Sequence, residues 1–266
     1  MHILPMLATA AEPFDSSEHM FEIKWDGIRG LAAIERAGWR LWGRGEGDYT
    51  ARYPELEILR QLPWGTVLDG EVVRLAEDGR ADFSGVQRRH QLASRRKIRW
   101  ASAREPVTYV VFDLLQLHGR CLMRQPLTRR RDLLEELLSQ IPCEPLRLSG
   151  AVTGAGTSFF QQAAAQGHEG VMAKRLDSHY HPGKRSSAWR KIKPRDETVC
   201  VVIGYRARRD GSLTGLLLAT TQGSELSYVG EVRGGLSSKV RTPDLPEFVG
   251  SLFSVFGGTD QRVDKG

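Results

Sequence analysis

The sequence predicts an α+β protein in two parts, with antiparallel sheets flanked by helices over residues 1–194 and a small all-β barrel over 195–266. Three observations predict it. Short runs rich in Val, Ile, Leu and aromatics alternate with helical stretches, without the even β-α-β rhythm of a parallel sheet. The texture changes at Pro194-Arg195-Asp196, after which strand-like pieces and Gly turns follow. A length of 266 residues is enough for one large domain or two smaller ones.

The elements follow in order. Met20, Phe21 and Ile23 read as a short buried strand ending at Lys24, and Gly27 supplies the turn out of it. Tyr53–Leu62 reads as a short helix stopped by Pro63. Thr66–Arg74 and Val107–Leu115 are strands. Thr128 is the expected N-cap of a helix through Leu138, with Leu133, Leu134, Leu137 and Leu138 on one face. Ser158–Gln166 is a third helix, ended by Gly167. Gly170–Arg175 and Ala188–Ile192 are strands again. Beyond the break, Val199–Tyr205, Gly215–Thr221 and Leu226–Val232 suggest a barrel of the oligonucleotide-binding (OB) type.

Charge and cysteine usage narrow the partners and the compartment. Lys+Arg number 38 and Asp+Glu 32, a net charge of +6 that favours a polyanionic partner. Residues 196–266 carry eight basic and nine acidic side chains, net −1, so residues 1–195 carry +7. Cys121, Cys143 and Cys200 lie far apart with no Cys-x-x-Cys pair, which argues against a zinc site or a disulfide scaffold and fits the reducing cytoplasm. No apolar stretch is long enough to span a membrane, and the N-terminus lacks the basic and apolar regions of a secretory leader.

Five segments carry chemistry. Lys24-Trp25-Asp26-Gly27-Ile28-Arg29 offers an amine that can act as a nucleophile. Leu68-Asp69-Gly70-Glu71-Val72-Val73 puts Glu71 on a strand, and His168-Glu169-Gly170-Val171-Met172-Ala173-Lys174-Arg175 does the same for Glu169. His168 beside an acid reads as an ordinary surface residue. Tyr109–Leu115 is an apolar strand offering the ring of Phe112. Trp189-Arg190-Lys191-Ile192-Lys193 places two lysines at i and i+2, on one face of a strand. Together these are parts for a nucleotidyl transfer: an amine nucleophile, carboxylates for a divalent cation, cations for a triphosphate and a ring to stack on a base.

In this order and spacing the segments resemble the covalent nucleotidyltransferases, and among them the ATP-dependent DNA ligases. The chain is most similar to the ligase module of bacterial end-joining ligases and their stand-alone relatives. The lead-in Leu4-Pro5-Met6-Leu7-Ala8, the set Phe83, Gln87, Arg88 and Arg89, and the run from Pro182 to Lys193 match that branch. The resemblance implies a nucleotidyltransferase domain followed by an OB domain, with ATP and Mg²⁺ or Mn²⁺ as cofactors. It implies that Lys24 attacks the α-phosphorus of ATP and carries AMP. Asp26 and Arg29 would support the ribose and the lysine pocket, and Arg44 the ribose or the nick phosphate. Glu71 would bind ribose or metal, and Glu169 metal. Phe112 would stack on adenine with Val171 on its other face, Glu22 would position the adenine amino group through its main chain, and Lys191 and Lys193 would grip the α-phosphate. The implied partner is nicked double-stranded DNA, with end-joining or repair proteins as further partners and the enzyme itself a monomer. An RNA ligase or capping-type enzyme shares the lysine chemistry, and a catalytically weak module that holds DNA ends is the alternative from another class. Asp69 and Asp113 are expected to serve structure.

The chain departs from that pattern at two places. The arginine motif reads Trp42-Gly43-Arg44-Gly45-Glu46, where the family usually has Ser for Gly43 and Gly for Glu46. The chain also stops at Gly266, before the final family motif. Arg262-Val263-Asp264-Lys265 mimics that motif without its preceding strand, so a C-terminally truncated barrel and impaired self-adenylation are expected. With about twenty residues before Lys24, no nicotinamide-recognition module is expected, and ATP is the expected cofactor; the two domains alone are expected to close on the duplex.

Arg88, Arg89, Arg95, Arg96, Lys97 and Arg99 stand in a stretch without an acid and are expected to contact phosphates, as are Arg206, Arg208 and Arg209. No base-reading element is expected, since sealing must act on any sequence. Arg129-Arg130-Arg131 reads as a solvated helix start.

Overall fold

The computed structural model describes residues 3–45, 47–141, 144–194, 196–210, 212–222, 225–233 and 252–257, with 196–198, 222 and 252–257 in backbone only. The chain divides into two compact units, residues 1–193 and 194–266.

The first unit is built on two sheets. One has the order β1-β11-β10-β2-β9, from β1 (Leu7–Ala10), β2 (Ser16–Ile23), β9 (Ala151–Gly154), β10 (Val171–Arg175) and β11 (Arg185–Ile192). The other has the order β4-β3-β5-β6-β7, from β3 (Ile28–Glu35), β4 (Gly38–Trp42), β5 (Val67–Val73), β6 (Thr108–Leu117) and β7 (Arg120–Cys121), with β8 (Leu146–Leu148) beside β6. Pairing is antiparallel except for β1–β11 and β6–β8, which are parallel. Four helices complete the unit: α1 (Phe83–Gln91), α2 (Arg95–Arg104), α3 (Leu127–Ser139) and α4 (Gly156–Ala165).

Side-chain alternation along the strands makes three apolar layers. Tyr109, Val111 and Leu114 of β6 join Leu56, Leu59, Val86, Leu134 and Leu137 on the helix-covered face of the second sheet. Phe112 and Leu115 of the same strand turn inward and meet Tyr180 and Trp189 between the sheets. Phe21, Val171, Ala173 and Ile192 face outward from the first sheet and pack on Ala163 of α4. The unit is therefore a helix–sheet–sheet–helix stack, a mixed α+β fold.

Several local expectations shift. The short helix expected over Tyr53–Leu62 is present as a 3-10 helix, Pro54–Gln61. Thr128 lies inside α3, whose N-cap is Pro126; the fixed φ of proline starts the helix without a side-chain cap, and the Thr128 N–H donates to the Leu176 carbonyl at 3.0 Å. Helix α4 begins two residues before Ser158 because the Asp15 carboxylate accepts from the Thr157 N–H at 2.8 Å, a cap supplied from a distant segment. The β3–β4 hairpin and helices α1 and α2 add to the elements that the local pattern predicts. Asp82, which caps α1 by accepting from Gly85 N–H at 2.8 Å, was the available signal. In α2 only Ile98 and Ala101 are buried, so charge masks its periodicity. The Arg129-Arg130-Arg131 start is not a solvated face: Arg130 forks onto Asp113 at 2.7 and 2.9 Å, and Arg131 reaches Glu22 at 3.3 Å.

In the second unit, β12 (Asp196–Ala207), β13 (Leu213–Gln222), β14 (Glu225–Val232) and β15 (Leu252–Gly257) form an antiparallel sheet of order β14-β13-β12-β15. Cys200, Val202 and Leu218 cluster on one face. The Arg262–Lys265 element and Cys143 fall outside the described residues. Cys121 and Cys200 are free thiols. Among the described residues no helix is long and apolar enough to cross a membrane.

Candidate active site

Lys24 follows directly on β2, where its N–H donates to the Gly170 carbonyl at 2.9 Å and ties the strand end to the start of β10. That tie brings two segments 145 residues apart together: the Lys24 ammonium donates to Glu169 Oε2. The other oxygen of Glu169 holds Lys193 Nζ at 2.8 Å, just beyond β11. Lys24, Glu169 and Lys193 thus meet where three neighbouring strands end.

Asp26 lies against this cluster. Burial raises its pKa, and the Glu169 charge raises it further against the pull of Lys24 and Lys193. Gly27 lets β5 approach: a Cβ there would stand 2.4 Å from the Val72 carbonyl and 2.9 Å from Glu71 Cγ. Lys191 has its pKa lowered by burial and then by Lys193, Arg185 and Lys24, so it stands among cations with Glu169 as counter-charge.

The second sheet supplies the facing wall. Glu71 pairs with Arg29 across β3 and β5. Burial pushes its carboxyl up to about 7, against the charges of Arg29, Lys24 and Arg44. Arg44 is exposed on the chain after β4 and stays within electrostatic reach of Glu71. The glycine at 43 has a physical reason: a Cβ would lie 2.7 Å from the Tyr49 ring, which fills the space a serine would need. Glu46 falls outside the described residues. Arg29 forks onto Asp69 with two bonds of 2.6 Å, and Tyr180 donates to the same carboxylate at 2.6 Å. Burial pulls the Arg29 pKa down, but Asp69 more than reverses this and locks the guanidinium in its charged form.

Phe112 is only 7% exposed, with Arg29 Cζ 4.6 Å and Lys174 Nζ 4.2 Å from its ring centre and Trp189 edge-on at 6.1 Å. Lys174 was not singled out in the sequence. It is buried, its amine bonds Glu22 at 2.8 Å, and burial lowers its pKa. The Glu22 side chain is a structural anion between Lys174 and Arg131. Trp25 donates to Ser149 Oγ at 3.2 Å and presents its ring edge to His168.

Two expected site residues are corrected. Val171 packs beneath α4 and faces away from Phe112; the inward neighbour is Met172, which touches the layer holding Phe112 and Trp189. Strand alternation carried this signal, since adjacent residues point to opposite faces. Arg89 is 1% exposed and bonds Glu55 at 2.7 Å, so it pins α1 to the 3-10 segment and presents no charge to solvent. Arg88, Arg95, Arg96, Lys97 and Arg99 are exposed on α1 and α2. Arg206 is exposed and pairs with Glu231 at 3.1 Å; Arg208 and Arg209 are exposed in the turn after β12.

Glu71 and Glu169 form an all-oxygen donor set that suits a hard divalent cation. Burial raises the Glu71 pKa despite three nearby cations, so a further positive charge beside it would favour its ionised form. Among the described residues no three His, Cys, Asp or Glu side chains cluster closely enough to bind a metal alone. The remaining ligands would have to come from substrate phosphates and water.

A lysine held against an acid, with further lysines and a half-buried carboxyl around it, stands on a two-sheet fold. The chain belongs to the ATP-dependent DNA ligase domain family, whose profile matches residues 5–193. It is 36% identical over 245 residues to the multifunctional non-homologous end joining protein LigD of Mycobacterium bovis, covering 90% of this chain and 30% of that protein. A probable DNA ligase of Streptomyces coelicolor is 34% identical over 257 residues, covering 90% and 49%. A solved structure of mycobacterial DNA ligase D complexed with ATP and MES is 34% identical, with a TM-score of 0.63 over 89% of this chain and 74% of that one. The chain therefore spans less than half the length of these two curated relatives.

Proposed function

We propose that the protein is an ATP-dependent DNA ligase that seals nicks in duplex DNA through a lysyl-AMP intermediate. The observation that carries this reading is the convergence of Lys24 and Lys193 on the two oxygens of Glu169. An amine, a carboxylate that holds it in place and a cation for phosphate stand together, contributed by segments far apart in the chain.

In the first step the Lys24 amine, its proton released to solvent, forms a bond to the α-phosphorus of ATP while the bond to pyrophosphate breaks. Lys191 and Lys193 stabilise charge on the phosphate oxygens, where positioning and electrostatics supply most of the catalysis. Arg29, locked by Asp69, and Arg44 hold the ribose side, and Phe112 and Met172 flank the base. A DNA 5′-phosphate then takes AMP from Lys24, and a 3′-hydroxyl displaces AMP to close the strand. Glu71 and Glu169 would hold Mg²⁺, which when bound neutralises phosphate charge.

The second unit, read as an OB-type domain, and the exposed cations of α1, α2 and the β12–β13 turn would hold the duplex. The enzyme acts as a monomer in the cytoplasm, with end-joining or repair proteins as partners. Incubation with labelled ATP and a divalent cation should give a covalent nucleotide adduct, and Lys24→Ala should lose it entirely. Addition of nicked duplex should then release AMP and yield sealed product. An adduct that persists in the alanine variant would overturn the assignment.

A further inference from the structure

Helix α2 carries Arg96, Arg99, Trp100 and Arg104 at i, i+3, i+4 and i+8, the side opposite its buried Ile98 and Ala101. Trp100 is 60% exposed, more than any other exposed large hydrophobic side chain among the described residues. Among those residues none of Arg95, Arg96, Lys97, Arg99 and Arg104 makes an ion pair with a carboxylate. The enclosed arginines of the first unit, by contrast, are matched: Arg29 with Asp69, Arg89 with Glu55, Arg130 with Asp113. The first turn of α2 holds three cations and no acid, the charge order that the helix dipole disfavours. A helix that accepts this repulsion around an uncovered indole is built for an anionic ligand with a flat apolar face.

Nucleic acid with an unpaired base has that chemistry: phosphates for the arginines and a base plane for the ring. A fully paired duplex offers the phosphates but keeps its bases stacked. The helix is also fixed to the site's edge. Arg74, which follows β5, pairs with Asp82 at the start of α1 and lies 4.0 Å from Glu105 at the end of α2. Glu71 is three residues back along that strand, about 10 Å at the usual rise.

We infer that the Arg96–Arg99–Trp100–Arg104 face of α2 binds single-stranded DNA beside the break, stacking Trp100 on an unpaired base. This rests on the ligase reading for the identity of the DNA, and it extends that reading from nicks to gapped or overhanging ends.

The test compares binding of the whole 266-residue chain, without ATP, to a nicked duplex and to the same duplex with a short single-stranded gap. Trp100→Ala should weaken binding to the gapped DNA about tenfold and to the nicked duplex less than about twofold, and Trp100→Phe should keep most of the gap preference. Arg96→Ala with Arg99→Ala should weaken both and lower the salt slope by about two. No loss on gapped DNA in Trp100→Ala, equal loss on both DNAs, or an unchanged salt slope would overturn the inference. Adduct formation with ATP is read in a separate assay. Its absence would sink the ligase reading while leaving the DNA preference measurable, and the reverse result would sink only the role of α2.

Discussion

Glu71 is a carboxyl whose chemistry departs far from its solution behaviour. Its carboxyl is pushed up from 4.5 to about 7 by burial, so between these values the folded chain keeps a proton that the unfolded chain has released. Unfolding then releases a proton, and stability falls as pH rises through that window. In the absence of divalent cation, Glu71→Gln should flatten the dependence. It should match the parent near pH 4 and exceed it above pH 7 by on the order of 3 kcal/mol, measured by urea unfolding across pH. Equal slopes for both proteins would refute the assignment. Val171 and Met172 make a second pair of opposites. Val171→Ala should lower stability by about 1–2 kcal/mol through lost packing under α4, with ATP affinity kept. Met172→Ala should weaken ATP binding several-fold with less effect on unfolding, read by isothermal titration beside a melting curve.

At the scale of elements, α1 and α2 divide their cations between two jobs. Arg89 is enclosed with Glu55, and the buried pair anchors α1 to the Pro54–Gln61 segment. Arg89→Ala leaves Glu55 buried without its partner and should cost about 3–5 kcal/mol, seen as a fall in the unfolding midpoint. The exposed neighbours on α2 should behave in the opposite way, since loss of a solvated charge changes stability by a few tenths of a kcal/mol. The same division explains what the local pattern could not say. Residues 88–99 read as one basic run, but the turn at Leu92 and the 3.6-residue period send Arg89 inward and Arg95, Arg96 and Arg99 outward. Helix α4 repeats the lesson, because its cap, Asp15, is supplied by a segment far earlier in the chain.

For the whole molecule, residues 1–195 carry +7 and 196–266 carry −1, so attraction to a polyanion such as the proposed DNA substrate would belong mainly to the first part. Charge reversal of Arg95 and Arg96 should reduce the slope of log affinity against log salt by about two or more, similarly for unrelated DNA sequences. A sequence-dependent loss would contradict phosphate binding. Much of this was legible before any geometry. The order Lys24, Arg44, Glu71, Phe112, Glu169, Lys191 and Lys193 states the chemistry, and the long Val- and Leu-rich strands state the sheets. Side-chain identity and local period are written in the chain itself, so motif and strand could be read there. Which face of each strand turns inward, which arginines are enclosed and which capping groups arrive from elsewhere depend on segments as distant as the 145 residues between Lys24 and Glu169. Burial and ion pairing are properties of atoms close in space, so Met172 in place of Val171 was decided only when the two sheets closed on each other, and Arg89 as an anchor only when α1 packed on the Pro54–Gln61 segment.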